Sequence, residues 1–119
     1  MKTTSLQLSK RLKELGVKQD SYFWYKVGKS TGKHNLLTEK EFNGTDTAFF
    51  NYYSAFTAEE LIDLLPQGYV AGNTFFREAE QEYICFKRGS KITDKCIYSD
   101  TLTNAMAEMV IFLKTNNLI

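Results

Sequence analysis

A chain of 119 residues is enough for one domain that hides about two-thirds of its unfolded surface, so folding needs neither disulfide nor metal. Nine Phe, seven Tyr and one Trp against a single Pro favour sheet. No apolar run is long enough to span a bilayer, and the opening MKTTSLQLSKRLKELG is too polar for a secretory leader; together they predict a cytoplasmic protein without membrane contact.

The formal net charge of +1 conceals a division. Residues 1–40 carry nine Lys and Arg against Glu14, Asp20 and Glu39, whereas residues 41–82 carry Arg77 against eight carboxylates. Such a split marks either two faces with different partners or the mixed surface of an ordinary soluble domain.

Thr4 and Gln7 stand in capping-box positions, and Leu8, Leu12 and Leu15 follow at helical spacing before Gly16, which predicts a helix of about ten residues. Its other face is Lys10, Arg11, Lys13 and Lys18. Ser21–Val27 alternates Tyr22, Trp24 and Lys26 with Phe23, Tyr25 and Val27, the pattern of a strand. Gly28–Lys33 is a turn leading to a second strand at His34–Leu37, a hairpin. Thr38–Asp46 reads as a loop with Asn43-Gly44 as its turn, and Ala48–Phe56 reads as a third strand.

Thr57 and Glu60 form a capping box for a helix over Thr57–Leu65, ended by Pro66 and Gly68. Three further strands are predicted at Thr74–Glu78, Glu82–Lys87 and Lys91–Tyr98, between turn signals at Gly72-Asn73 and Gly89-Ser90. The last two form a hairpin with Ile84 and Phe86 on the face opposite Tyr83 and Cys85. In Ser99–Ile119, Leu102, Ala105, Met106, Met109, Val110 and Leu113 make one helical stripe, widened by Ile111 and Phe112. Such a helix packs against a whole sheet face. Ser99, Asp100 or Thr101 supplies the cap, and Asn116-Asn117 the stop, with Leu118-Ile119 folding back on the last turn. The predicted class is α+β, a single domain over residues 1–119. Its sheet is mostly antiparallel, with three helices in the order α-β-β-β-α-β-β-β-α.

Few residues suggest chemistry. Gly28-Lys29-Ser30-Thr31-Gly32-Lys33 imitates a phosphate loop, but Phe23 stands where the first Gly is required and His34 follows Gly32-Lys33. No helix pattern comes after it, so it is a turn. His34 is the single histidine and sits beside that turn, where a solvated ring is the ordinary outcome. Cys85 and Cys96 lack metal-binding spacing; they are either two small hydrophobes or a pair facing across the last hairpin. Glu59, Glu60 and Asp63 are the acids a helix N-terminus collects. No catalytic residue, metal site or cofactor is expected.

Three stretches, SLQLSKRLKELGVKQDSYFWY (Ser5–Tyr25), YSAFTAEELIDLLP (Tyr53–Pro66) and NAMAEMVIFLKTNNLI (Asn104–Ile119), resemble a group of short uncharacterised bacterial proteins often encoded in prophage or mobile-element regions. The resemblance implies an accessory protein of such an element and a cytoplasmic setting. It implies no mechanism, and Gly68–Arg88 departs from it.

The expected function is a non-enzymatic protein–protein interaction module with an unidentified protein partner, on the strength of the surplus aromatics and the two-signed charge. Tyr22, Trp24, Tyr52 and Tyr53 are its candidate surface. The alternative is single-stranded nucleic-acid binding through Trp24, Tyr25, Lys26, Lys29 and Lys33, with a second basic cluster at Lys87, Arg88, Lys91 and Lys95. Against it stand the near-neutral total, the acidic middle and the lack of an RNP motif.

Overall fold

A computed structural model describes residues 3–42, 47–73, 83–87 and 96–119. Within them lie three helices and two three-stranded antiparallel sheets, in the expected α+β order. None of these helices is long and apolar enough to cross a membrane.

Helix α1 (Leu6–Glu14) starts at Ser5, whose Oγ accepts the Leu8 N–H at 3.3 Å. The predicted cap, Thr4, is occupied elsewhere. Its N–H donates to the Phe56 carbonyl at 2.9 Å, and its Oγ1 accepts the Phe56 N–H at 3.1 Å. That hydroxyl also shares a 2.6 Å hydrogen bond with the buried Ser9. Pairing with Phe56, far along the chain, therefore moves the helix start one residue on. Gly16 closes the helix at φ +85°, a conformation that favours glycine.

Strands β1 (Phe23–Gly28), β2 (His34–Thr38) and β3 (Phe50–Ala55) form the first sheet in the order β2-β1-β3. The β1–β2 turn is the Gly28–Lys33 segment. The predicted Asn43-Gly44 turn lies outside the described residues. Helix α2 (Ala58–Leu64) carries the expected box: Thr57 Oγ1 accepts the Glu60 N–H, and the Glu60 carboxylate accepts the Thr57 N–H at 3.0 Å.

Strands β4 (Tyr69–Asn73), β5 (Tyr83–Lys87) and β6 (Ile97–Ser99) form the second sheet in the order β4-β5-β6. The fourth strand is Tyr69–Asn73, across the Gly72-Asn73 turn signal. Backbone pairing with β5, Gly72 opposite Ile84 and Asn73 opposite Tyr83, overrides the local turn preference of those two residues. The predicted strand at Thr74–Glu78, the Gly89-Ser90 turn and the Arg88, Lys91 and Lys95 cluster lie outside the described residues. The β5–β6 pairing matches Cys85 with Ile97. Cys96, one residue before, alternates to the opposite face, so the two cysteines do not face each other, and both are free thiols.

Helix α3 (Leu102–Thr115) is capped by Thr101, whose Oγ1 accepts the Asn104 N–H at 3.0 Å. Its stripe is buried as predicted: Ala105, Met106, Met109, Val110 and Leu113 are at most 4% exposed. Burial extends past the stripe to Thr103 and Ala107, because α1, α2 and all three strands of the second sheet surround this helix. Asn117 ends it at φ +56°. The Leu118 N–H then reaches the Leu113 carbonyl at 2.8 Å, and the Asn117 N–H reaches the Lys114 carbonyl at 3.1 Å, a Schellman closure. The backbone folds back as expected, but the Leu118 and Ile119 side chains remain exposed.

The core gathers Leu12, Val17, Phe56, Leu61 and Leu65 with Cys85 around that helix. Met109 is 1% exposed at its centre. Met109→Ala is expected to cost about 2–5 kcal/mol, as burial plus an unfilled cavity, measured by urea denaturation against the parent chain.

Candidate functional site

Most of the residues singled out from the sequence fall on the first sheet, and its pairing decides their neighbours. The Gly28 N–H donates to the Lys33 carbonyl at 2.9 Å and the Glu39 N–H to the Tyr22 carbonyl at 2.8 Å, bracketing the β1–β2 ladder. Antiparallel backbone groups alternate in direction, so residues 33, 35, 37 and 39 turn toward β1 while His34, Leu36 and Thr38 turn outward. On the other side, the Lys29 N–H donates to the Phe49 carbonyl at 2.9 Å. Residues 49, 51, 53 and 55 therefore turn toward β1, leaving Phe50, Tyr52, Ser54 and Phe56 outward.

The two edges are treated differently. Along β3, Lys13 Nζ donates to the Tyr52 carbonyl at 2.9 Å, and the Ser54 N–H donates to Gln19 Oε1 at 2.7 Å. Thr4 completes the cover at Phe56. Along β2, among the described residues, only one end is closed. The Thr38 N–H and hydroxyl donate to Glu41 Oε1 at 3.1 and 2.9 Å, and the Thr38 carbonyl accepts from the Glu41 and Phe42 N–H groups.

One face carries Trp24, Lys26, Phe50, Tyr52 and Ser54. Phe42 lies flat on the Trp24 ring, centroids 4.0 Å apart at 3°, and meets Tyr52 edge-on at 5.2 Å. Lys26 Nζ sits 4.1 Å over the Phe50 ring, a cation–π contact. Tyr52 is buried, and neither its hydroxyl nor that of Ser54 has a partner among the described residues. An orphan of this kind costs about 1–3 kcal/mol, held here by the surrounding rings.

The opposite face carries Tyr25, Tyr53, His34 and Leu36. The Tyr25 hydroxyl donates to the Thr4 carbonyl at 2.8 Å, and its ring meets His34 edge-on at 5.8 Å. Lys13 and Lys10 lie over the Tyr53 ring at 5.0 and 5.7 Å.

The eight predicted residues therefore do not converge. Trp24 and Tyr52 are locked into one aromatic stack, while Tyr25 and Tyr53 serve the other face. Lys29 and Lys33 are exposed in the turn, and Tyr22, 56% exposed, stands at the far end of β1. Phe42, Phe49 and Leu36 lie outside that set: Phe42 falls in the predicted loop, and nothing in the local sequence marks Phe49 or Leu36 as exposed.

Cys85 is fully buried, and burial pushes its thiol up to about 11, so it is a poor source of thiolate. Among the described residues no group of three His, Cys, Asp or Glu is placed to hold a metal ion. An apolar groove of about 230 Å³ runs between α2, β4 and α3, lined by Ile62, Val70, Leu102 and Met106. A hollow of about 330 Å³ beside Tyr22 gathers Asp20, Glu39, Glu60 and Asp63 around Lys18. Glu60 is already committed there, to the α2 cap and to the Tyr22 N–H at 3.1 Å.

Comparison with protein-family models, curated proteins and solved structures gives no match.

The Glu41 clip titrates. Hydrogen bonds from the Thr38 amide and then its hydroxyl hold the Glu41 carboxyl below the ordinary carboxylate range. The folded pKa is depressed, so the contribution is present above the ordinary carboxylate pKa and lost as pH falls through the folded value. On acidification the Thr38 amide resonance is expected to shift with a midpoint below that range, and Glu41→Ala to abolish the shift, as read by NMR titration.

Proposed function

We propose that the chain is a non-enzymatic accessory protein that acts by binding another protein, through the turn end of the first sheet. The observation that supports this is Phe49. Its side chain is 70% exposed, yet its backbone is held in the ladder by the Lys29 N–H. The exposed Lys29 stands opposite it in register, while the Lys26–Phe50 pair occupies the other face of the same sheet end. An exposed ring on a backbone already held in place, with a cation opposite, loses less backbone entropy on binding and suits a partner surface combining apolar and carboxylate groups. Origin in a phage or integrated element and a place in the cytoplasm belong to the same proposal, and rest on the resemblance of the three stretches and the polar opening.

The Trp24 surface suits nucleic acid less well, since Phe42 already covers one face of that ring and base stacking needs an open face.

The test is affinity capture from bacterial lysate with and without nuclease. A discrete protein retained after nuclease and lost on Phe49→Ala is the expected result. Retention undiminished by Phe49→Ala would discard this surface. Capture abolished by nuclease and falling steeply with salt would favour nucleic acid instead.

A further inference from the structure

The open part of β2 is short and defined. His34 and Leu36 are the two residues whose backbone N–H and C=O point away from β1 without a partner among the described residues; Thr38, the next outward residue, is closed by Glu41 and Phe42. Both side chains are exposed, Leu36 at 46%. An edge of this kind accepts another strand. The opposite edge of the sheet, along β3, is plugged by Lys13, Gln19 and Thr4.

We propose that β2 pairs antiparallel with β2 of a second copy of this chain, about a two-fold axis at Asn35. In that register His34 of each copy opposes Leu36 of the other. Each pair exchanges two N–H···O=C bonds, which uses every free outward group and no occupied one. A register centred on Leu36 fails because it would oppose His34 to the closed Thr38. The product is one continuous six-stranded sheet, β3-β1-β2-β2-β1-β3, with Leu36 of each copy covered by His34 of the other.

Charge identifies the second copy as the occupant. Lys29 and Lys33 stand at the turn end of β2, and Glu39 and Glu41, with Lys40 between them, at the other end. Antiparallel pairing lays the doubly cationic end of each copy along the carboxylate end of the other, twice over. Lys33, Asn35, Leu37 and Glu39 share a face by alternation. Lys33 then lies one diagonal step from Glu39 of the other copy, within reach of a long side chain.

Analytical ultracentrifugation from micromolar to millimolar protein tests this. A reversible monomer–dimer equilibrium that weakens with salt is expected. Leu36→Pro deletes an outward N–H and leaves the β1 ladder intact; it is expected to weaken dimerisation roughly tenfold or more. Lys33→Glu and Glu39→Lys are each expected to weaken it, and the double exchange to restore it. A chain monomeric throughout, a dimer unchanged by Leu36→Pro, or a double exchange that fails to restore overturns the proposal. Should circular dichroism show Leu36→Pro unfolded, the charge exchange decides alone. None of this depends on a foreign partner at Phe49, so either reading can fail without the other.

Discussion

Burial of α3 is the constraint on which the fold depends. Ala105, Ala107, Met109 and Val110 lose nearly all contact with water because α1, α2 and the second sheet approach that helix from different directions. A helix covered on several sides needs partners on several sides, and none of the other elements is long enough to bury its own apolar residues alone. Helix α1 has nine residues and α2 seven, below the length at which an isolated helix holds in water. Each becomes stable by docking its leucines, Leu12 and Leu61, against the common core. The two small alanines of α3 allow close approach, and Met109 fills the irregular space left between neighbours.

The first sheet is attached to this core by a different kind of force. Its hold is polar as much as apolar: Thr4, Lys13 and Gln19 bind the exposed backbone of β3 and Phe56. An edge strand with unmet backbone groups is an aggregation hazard, and here side chains on and around α1 cover it from Tyr52 to Phe56. The same act anchors α1 and the sheet to each other. On the far side β2 has, among the described residues, the Glu41 clip at one end, which leaves the edges unequal: side chains bind β3 at Tyr52 and Ser54, whereas β2 is open at His34 and Leu36.

Among the described residues most aromatic rings are at least partly covered by other elements. Trp24, Phe42 and Tyr52 stack on one face, while Tyr25 and Tyr53 are tied to Thr4 and to the lysines of α1 on the other. Several cations that would attract phosphate from sequence alone lie over rings instead. Two exposed features stay on the first sheet: the Phe49 ring opposite Lys29, and the β2 edge around Leu36. Both sit on the sheet that packs least on the central core, where a surface can be presented without disturbing α3.

The order of elements, the Thr57–Glu60 box, the α3 stripe and the alternation along β1 were legible in the sequence, because each depends on residues a few positions apart. Caps, helical periodicity and strand alternation are local physics. The start of α1 was misplaced by one residue because Thr4 answers to Phe56, a partner 52 positions away. The Gly72-Asn73 turn signal gives way for the same reason: both residues follow β5 rather than their own turn preference. The candidate surface was the least legible part. Whether an aromatic on a strand is exposed depends on what covers its face, and Phe42 over Trp24 or Lys13 over Tyr53 arrive from other elements. Local spacing determined which elements form; only long-range packing decided which rings are enclosed and which sheet edge is left open.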